Sequence, residues 1–154
     1  MIIVDYYNFL YNRYSDINED VVIKNLHLLA VFAEQKNTFI KVFFDGVFFR
    51  GINFSSKQVE LFFSSYQTAD ECILKMFGSL QGKMHWLVSK DRRFIKMIKY
   101  KSNISIVFPE KLWKELDFLL RCKNIKNNKK SNLIKTTDFD DAEIDSMYNE
   151  YFNK

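Results

Sequence analysis

Four acidic positions stand where apolar, strand-like runs give out. Asp5 follows Ile2-Ile3-Val4, and Asp45 follows Phe39-Ile40-Lys41-Val42-Phe43-Phe44. The pair Asp70-Glu71 comes after Val59-Glu60-Leu61-Phe62-Phe63, and Asp91 comes after Trp86-Leu87-Val88. In an open α/β sheet, ligand sites form outside the carboxyl ends of the strands. The four positions are therefore expected to converge on one cleft. Crowded carboxylates raise one another's pKa, and a hard divalent cation with oxygen ligands relieves that repulsion. The residue types point to a metal-dependent nuclease. A plainer use exists for the acid pair: in the first turn of a helix capped by Thr68 it complements the helix dipole, for about 0.3–1 kcal/mol.

The elements that must position these acids follow from periodicity. Ile2-Ile3-Val4 has no polar alternation, as a strand buried on both faces should. The chain then turns through Asp5-Tyr6-Tyr7-Asn8. Val22, Ile23, Leu26, Leu29, Ala30 and Ala33 recur at helical spacing from Glu19 to Gln35. Strands are expected over Thr38–Phe44, Val59–Phe63, Met84–Val88 and Ile104–Phe108, and helices over Ala69–Leu80, Arg92–Lys99 and Glu110–Arg121. Residues 47–57, with Phe48, Phe49, Arg50 and Phe54, read as a loop that either stacks on unpaired bases or folds onto the domain as an apolar flap. This βα alternation predicts an α/β three-layer sandwich around a mostly parallel sheet of about five strands, Rossmann-like in its winding.

The bulk numbers agree with a folded nucleic-acid enzyme. At 154 residues, 47% of them apolar, the chain can bury a core unaided. No apolar run reaches the ~20 residues of a membrane span, so no membrane partner is expected. The N-terminus enters a strand at Ile2 without signal-peptide features, which makes the cytoplasm the default location. Cys72, Cys122, His27 and His85 complete no zinc spacing. The net charge of +4 is unevenly spread. Residues 83–135 carry 15 basic against 4 acidic groups, whereas residues 136–154 carry 1 basic against 6 acidic. A basic segment beside clustered acids suits a polyanionic substrate. Domain boundaries are expected at 1–122 for the catalytic unit, 123–135 for a Lys/Asn-rich linker, and 136–154 for an acidic tail. In that tail Ile144, Met147, Tyr148, Tyr151 and Phe152 offer a helical face for a homodimer contact.

Four motifs in order resemble the NYN (YacP-like) ribonucleases of the PIN-like nuclease superfamily. Asp5-Tyr6-Tyr7-Asn8 is similar to the family's Asp-Gly-Tyr-Asn, and Phe44-Asp45-Gly46 to its Phe-Asp-Ala/Gly. Thr68-Ala69-Asp70-Glu71 matches its Thr-Ala-Asp-Glu, and Val88-Ser89-Lys90-Asp91 resembles its Thr/Ser-Ser-Asp. The motifs span about residues 1–122. Two residues depart from the pattern: Tyr6 in place of glycine would alter the turn or crowd the metal, and Lys90 in place of a small residue would either neutralise a carboxylate or meet a substrate phosphate.

The resemblance implies metal-assisted endonucleolytic hydrolysis of RNA, with Mg²⁺ or Mn²⁺ as cofactor and RNA, free or on the ribosome, as partner. Asp5, Asp70 and Asp91 are then the expected metal ligands. Asp45 and Glu71 are candidates for support of those ligands or for general base. Asn8 and Ser89 would orient an acid, a water or a phosphate oxygen, and Lys90, Arg92, Arg93 and Lys96 would contact phosphates. A catalytically weak RNA-binding module and a PIN-like toxin are the alternatives. A nucleotide-binding protein is disfavoured, because four glycines form no phosphate-cradling loop.

Overall fold

The computed structural model describes residues 1–80, 82–101 and 103–131. Its elements are β1 (Ile2–Asp5), α1 (Tyr6–Leu10), α2 (Glu19–Gln35), β2 (Ile40–Phe44), β3 (Val59–Phe63), α3 (Ala69–Ser79), β4 (His85–Val88), α4 (Arg92–Ile98), β5 (Ile104–Val107) and α5 (Pro109–Ser131). Residues Met1–Leu120 form one compact unit and a second begins at Arg121. The sheet, its two covering layers and the cleft described below all belong to the first.

All five strands are parallel, in the order β3-β2-β1-β4-β5. Strand side chains alternate between faces, and both faces are apolar. Ile2, Val4, Ile40, Val42, Phe44 and Val88 pack toward α1, α2 and α5, in one cluster with Phe9, Leu26, Leu29, Leu116 and Leu119. Ile3, Phe43 and Leu87 point the other way, onto Ile73 and Phe77 of α3 and Phe94 and Ile98 of α4. The expected three-layer sandwich is therefore present, and its sheet is wholly parallel. The chain winds outward through β2 and β3 on one side of β1 and through β4 and β5 on the other. The switch point lies between β1 and β4.

Local chemistry sets the element ends. Asn18 caps α2 by accepting from the Val21 amide at 3.0 Å, with Glu19 and Asp20 in the first turn. Trp113 of α5 stacks on Phe9 of α1 at 4.1 Å and donates from Nε1 to the Phe9 carbonyl at 3.2 Å. Arg13 lies over the Trp113 ring and makes a bidentate pair with Asp117 at 2.8 and 3.0 Å. The connection from β2 to β3 has no helix. It settles on the core through Phe49, Ile52 and Phe54, which supports the flap reading there, while Phe48 stays 85% exposed.

Two sequence expectations differ from the structure. The turn after β1 is a short helix, α1, too brief to leave a periodic signal. Helix α5 runs past Arg121 to Ser131, so residues 123–131 of the expected linker are helical. Lysine is a good helix former, and a segment already anchored by Leu112, Trp113, Leu116 and Leu119 propagates cheaply. The acidic tail and its dimer contact lie outside the described residues.

His85 is buried on the same face as Leu87, and neither ring nitrogen has a hydrogen-bond partner among the described residues. Burial, then the charge of the N-terminus, holds its pKa below the ordinary 6.5. The unfolded chain therefore takes up the proton first, and stability from this site is lost as pH falls below 6.5. His85→Val should stabilise the fold by about 1 kcal/mol at neutral pH by removing an unsatisfied polar group. The gain should widen toward pH 5, as chemical denaturation across that range would reveal.

Candidate active site

The carboxyl ends of β1, β2 and β4 and the start of α3 bound one open cleft of about 510 Å³. Asp5, Asp45, Asp70 and Asp91 all line it. Each aspartate is placed by a different device. Asp5 ends β1 and sits only 6% exposed against Ser89, whose hydroxyl donates to Asp5 Oδ2 at 3.1 Å. Ser89 is fully buried, and its oxygen also accepts from the Asp91 amide at 3.2 Å. One hydroxyl thereby ties the ends of β1 and β4 together. Asp91 caps α4, with Oδ1 accepting from the Arg93 and Phe94 amides at 2.7 and 3.0 Å. Asp45 reaches across to α3, where Oδ1 accepts from the Ala69 amide at 2.7 Å. Gly46, at φ +74°, turns the chain out of the cleft and donates to Ser64 Oγ at 2.8 Å. Asp70 has no hydrogen-bond partner among the described residues.

The electrostatics are those of unrelieved crowding. Asp5 is pushed up to about 7, first by burial and then by the charge of Asp70, against the pull of the Ser89 hydrogen bond. Asp70 is raised to about 6 by burial and by the charges of Asp91 and Asp45. Among the described residues no three Asp, Glu, His or Cys side chains close into a ready-made metal cage. The donor set is nonetheless oxygen-only and overcharged. It suits a small hard cation that keeps most of its waters and takes one or two carboxylates directly.

The other expected residues divide clearly. Asn8 lines the cleft, and its Oδ1 accepts from the Lys90 amide at 2.8 Å, so it holds the turn that carries Lys90 and Asp91. Lys90 stands exposed at the rim, and its ammonium pairs loosely with Glu110 at 3.8 Å. Tyr6 does not crowd the acids. It is fully buried, donates to the Val22 carbonyl at 2.8 Å and packs on Phe44. Glu71 is not brought to the cleft. Its carboxylate accepts from the Thr68 amide at 3.1 Å, completing a capping box with Thr68 Oγ1, and it lines a separate hollow with Gln67 and Lys75. Arg92 and Lys96 border a neighbouring hollow that Lys90 shares, while Arg93 lines neither. Neither histidine lines the cleft.

Four cleft residues had not been expected in the site: Tyr7, Tyr11, Asn12 and Thr68, the last read only as a helix cap. Tyr7 and Tyr11 stack with centroids 6.3 Å apart, and Tyr11 is 62% exposed. Burial, Tyr11 and the Asp45 charge raise the pKa of the Tyr7 phenol above its ordinary value. Their spacing of four residues across a helix end was the available signal.

Known proteins share this fold. A family model described as the YacP-like NYN domain matches residues 2–154, extending past the motif-bearing part into the C-terminal segment. The crystal structure of Rae1 (YacP) from Bacillus subtilis superposes with a TM-score of 0.69 at 16% identity, covering 86% of this chain and 82% of that one. A point mutant of the same protein gives 0.70 at 18% identity, covering 86% and 84%. No curated protein matches by sequence. No described helix is long and apolar enough to cross a membrane.

Because the Asp5 and Asp70 pKa values are raised above 3.8 in the fold, the native state holds more protons than the unfolded chain between that value and about 7. Stability from these groups is therefore present at low pH and lost as pH rises through the folded values. Asp5→Asn should raise stability at pH 8 by about 1–3 kcal/mol, with little change at pH 4. Paired wild-type and variant denaturation curves at the two pH values test this, because the His85 contribution cancels in the difference.

Proposed function

The chain belongs to the YacP-like NYN domain family, and from that premise we propose that it is a metal-dependent endoribonuclease hydrolysing RNA phosphodiester bonds in the acidic cleft. The observation that carries the reading is the convergence of four aspartates at the switch point, two of them with pKa values raised by burial and mutual charge. Such repulsion is tolerated when it serves a bound cation.

Asp5 and Asp70 would hold Mg²⁺ or Mn²⁺, with Asp91 contributing through water, since its Oδ1 already caps α4. When bound, the cation supplies a lowered water pKa and neutralises charge building on the phosphate. Asp45 anchors one oxygen on Ala69 and keeps the other as a proton acceptor for the attacking water. Water adds to phosphorus, the P–O bond to the leaving ribose oxygen breaks, and that oxygen takes up a proton. Ser89 and Asn8 act as positioning residues, holding Asp5 and the Lys90–Asp91 turn. Glu71 acts at one remove, by capping the helix that presents Asp70. The Tyr7–Tyr11 wall suits an unpaired base beside the reacting phosphate, and Lys90 at the rim suits a phosphate.

A labelled single-stranded RNA incubated with the protein in Mg²⁺ or Mn²⁺ should be cut internally. Asp70→Asn and EDTA should each reduce the rate by about a hundredfold or more. Because the ligands must be deprotonated, the rate should climb between pH 5 and pH 8. Tight RNA binding without cleavage in either metal would instead favour the binding-module reading.

Removal of the Tyr11 ring should act on binding more than on chemistry. Tyr11→Ala should raise KM about tenfold while kcat falls less, and a steady-state series on short RNA would resolve the two.

A further inference from the structure

A second hollow, of about 1040 Å³, opens between α4 and α5 beside the acidic cleft. Five cations line it, Lys90, Arg92, Lys96, Lys111 and Lys114, together with Phe108. Its single carboxylate is Glu110, which is already engaged by Asn12 at 2.7 Å and by Lys90. Among the described residues, none of the other four cations has a carboxylate within ion-pair distance.

Arg92 and Lys96 are four apart on α4, and Lys111 and Lys114 three apart on α5. Each pair therefore shares one helix face, and both faces border the same space. Gathering like charges this way favours a polyanion in the space; of the five, Lys111 is also drawn to Glu115 and to the Trp86 ring at 5.6 Å. The wall is also partly apolar. Ile95 contributes to it, and the Phe108 ring is 56% exposed in the turn that precedes α5. Phosphate contacts beside an exposed aromatic ring are the combination that binds single strands, since an unpaired base presents a face for stacking. Lys90 lines both the cleft and the hollow, so the two spaces adjoin.

We propose that this hollow is a second RNA subsite. The single strand whose reacting phosphate lies over the aspartates continues past Lys90, sets its next phosphates against Arg92, Lys96, Lys111 and Lys114, and stacks a base on Phe108. The identity of the ligand rests on the nucleolytic reading of the cleft. The hollow's own chemistry asks only for a flexible polyanion with bases.

The test is binding of fluorescein-labelled RNA in EDTA, where no cleavage confuses the readout, with cleavage in Mg²⁺ measured separately. The wild type should bind a 12-nucleotide strand more tightly than a 3-nucleotide one. The double variant Lys111→Ala/Lys114→Ala should weaken binding of the longer strand about tenfold and lower the slope of log affinity against log salt by about 1.4, at roughly 0.7 per phosphate. It should leave the shorter strand unaffected. Phe108→Ala should weaken the longer strand by a similar factor without changing the slope. Lys99→Ala/Lys101→Ala, an equal charge loss outside the hollow, should do neither.

Three results would overturn the proposal: an unchanged slope in the Lys111/Lys114 variant, an equal fall in the Lys99/Lys101 control, or equal binding and equal response by a preformed RNA duplex. If the wild type cleaves nothing but the length and salt effects hold, the subsite stands and the nuclease reading falls. If cleavage is robust and those effects are absent, the reverse is true.

Discussion

The hydrogen bond from Ser89 to Asp5 is the contact on which the site depends. It joins the ends of the two strands that straddle the switch point, and its donor is fully buried. The same oxygen receives the Asp91 amide, so the turn that carries Asp91 is set by the group that holds Asp5. Asn8 fixes that turn from the other side, through the Lys90 amide. Two aspartates and the rim lysine are thus positioned by neutral side chains, which leaves carboxylate oxygens for other work. Asp45 does the corresponding job for α3, anchoring the helix that presents Asp70.

That arrangement sets local stability against function. Burial raises the charging cost of Asp5 and Asp70, and the neighbouring carboxylates add to it. The fold carries this load on a core with two apolar faces, and on the α1–α5 clamp of Phe9, Trp113, Arg13 and Asp117. Crowded acids of this kind mark functional sites more often than structural ones. A bound divalent cation would turn the same repulsion into stabilisation.

Much of the fold was legible because a parallel sheet buried on both faces writes itself as uninterrupted apolar runs. The β1 and β2 runs ended directly at an acid and the β4 run three residues before one, which located the cleft. What was hidden had physical reasons. Helix α1 is only five residues long and carries no period, so Tyr7 read as part of a turn, and nothing marked Tyr11 and Asn12 as a wall of the cleft. Glu71 belongs to a Thr-x-x-Glu capping box, a signature visible in the sequence, yet adjacency to Asp70 suggested a shared role. Successive helix positions are turned about 100° apart, so neighbours in sequence need not be neighbours in a site. Tyr6 departs from the family pattern without entering the cleft, because its side chain points into the core.

The departure at Lys90 has the larger consequence. A cation next to Asp91 in sequence would be expected to quench it, but the ammonium instead meets Glu110, at the boundary between the acidic cleft and the basic hollow. The pair is exposed and loose, and such pairs contribute little to stability. A phosphate arriving at that boundary can therefore displace Glu110 from Lys90 at small cost. Glu110 would still keep its hydrogen bond from Asn12. On the proposed reading, that exchange is what a strand running from the hollow to the aspartates would need.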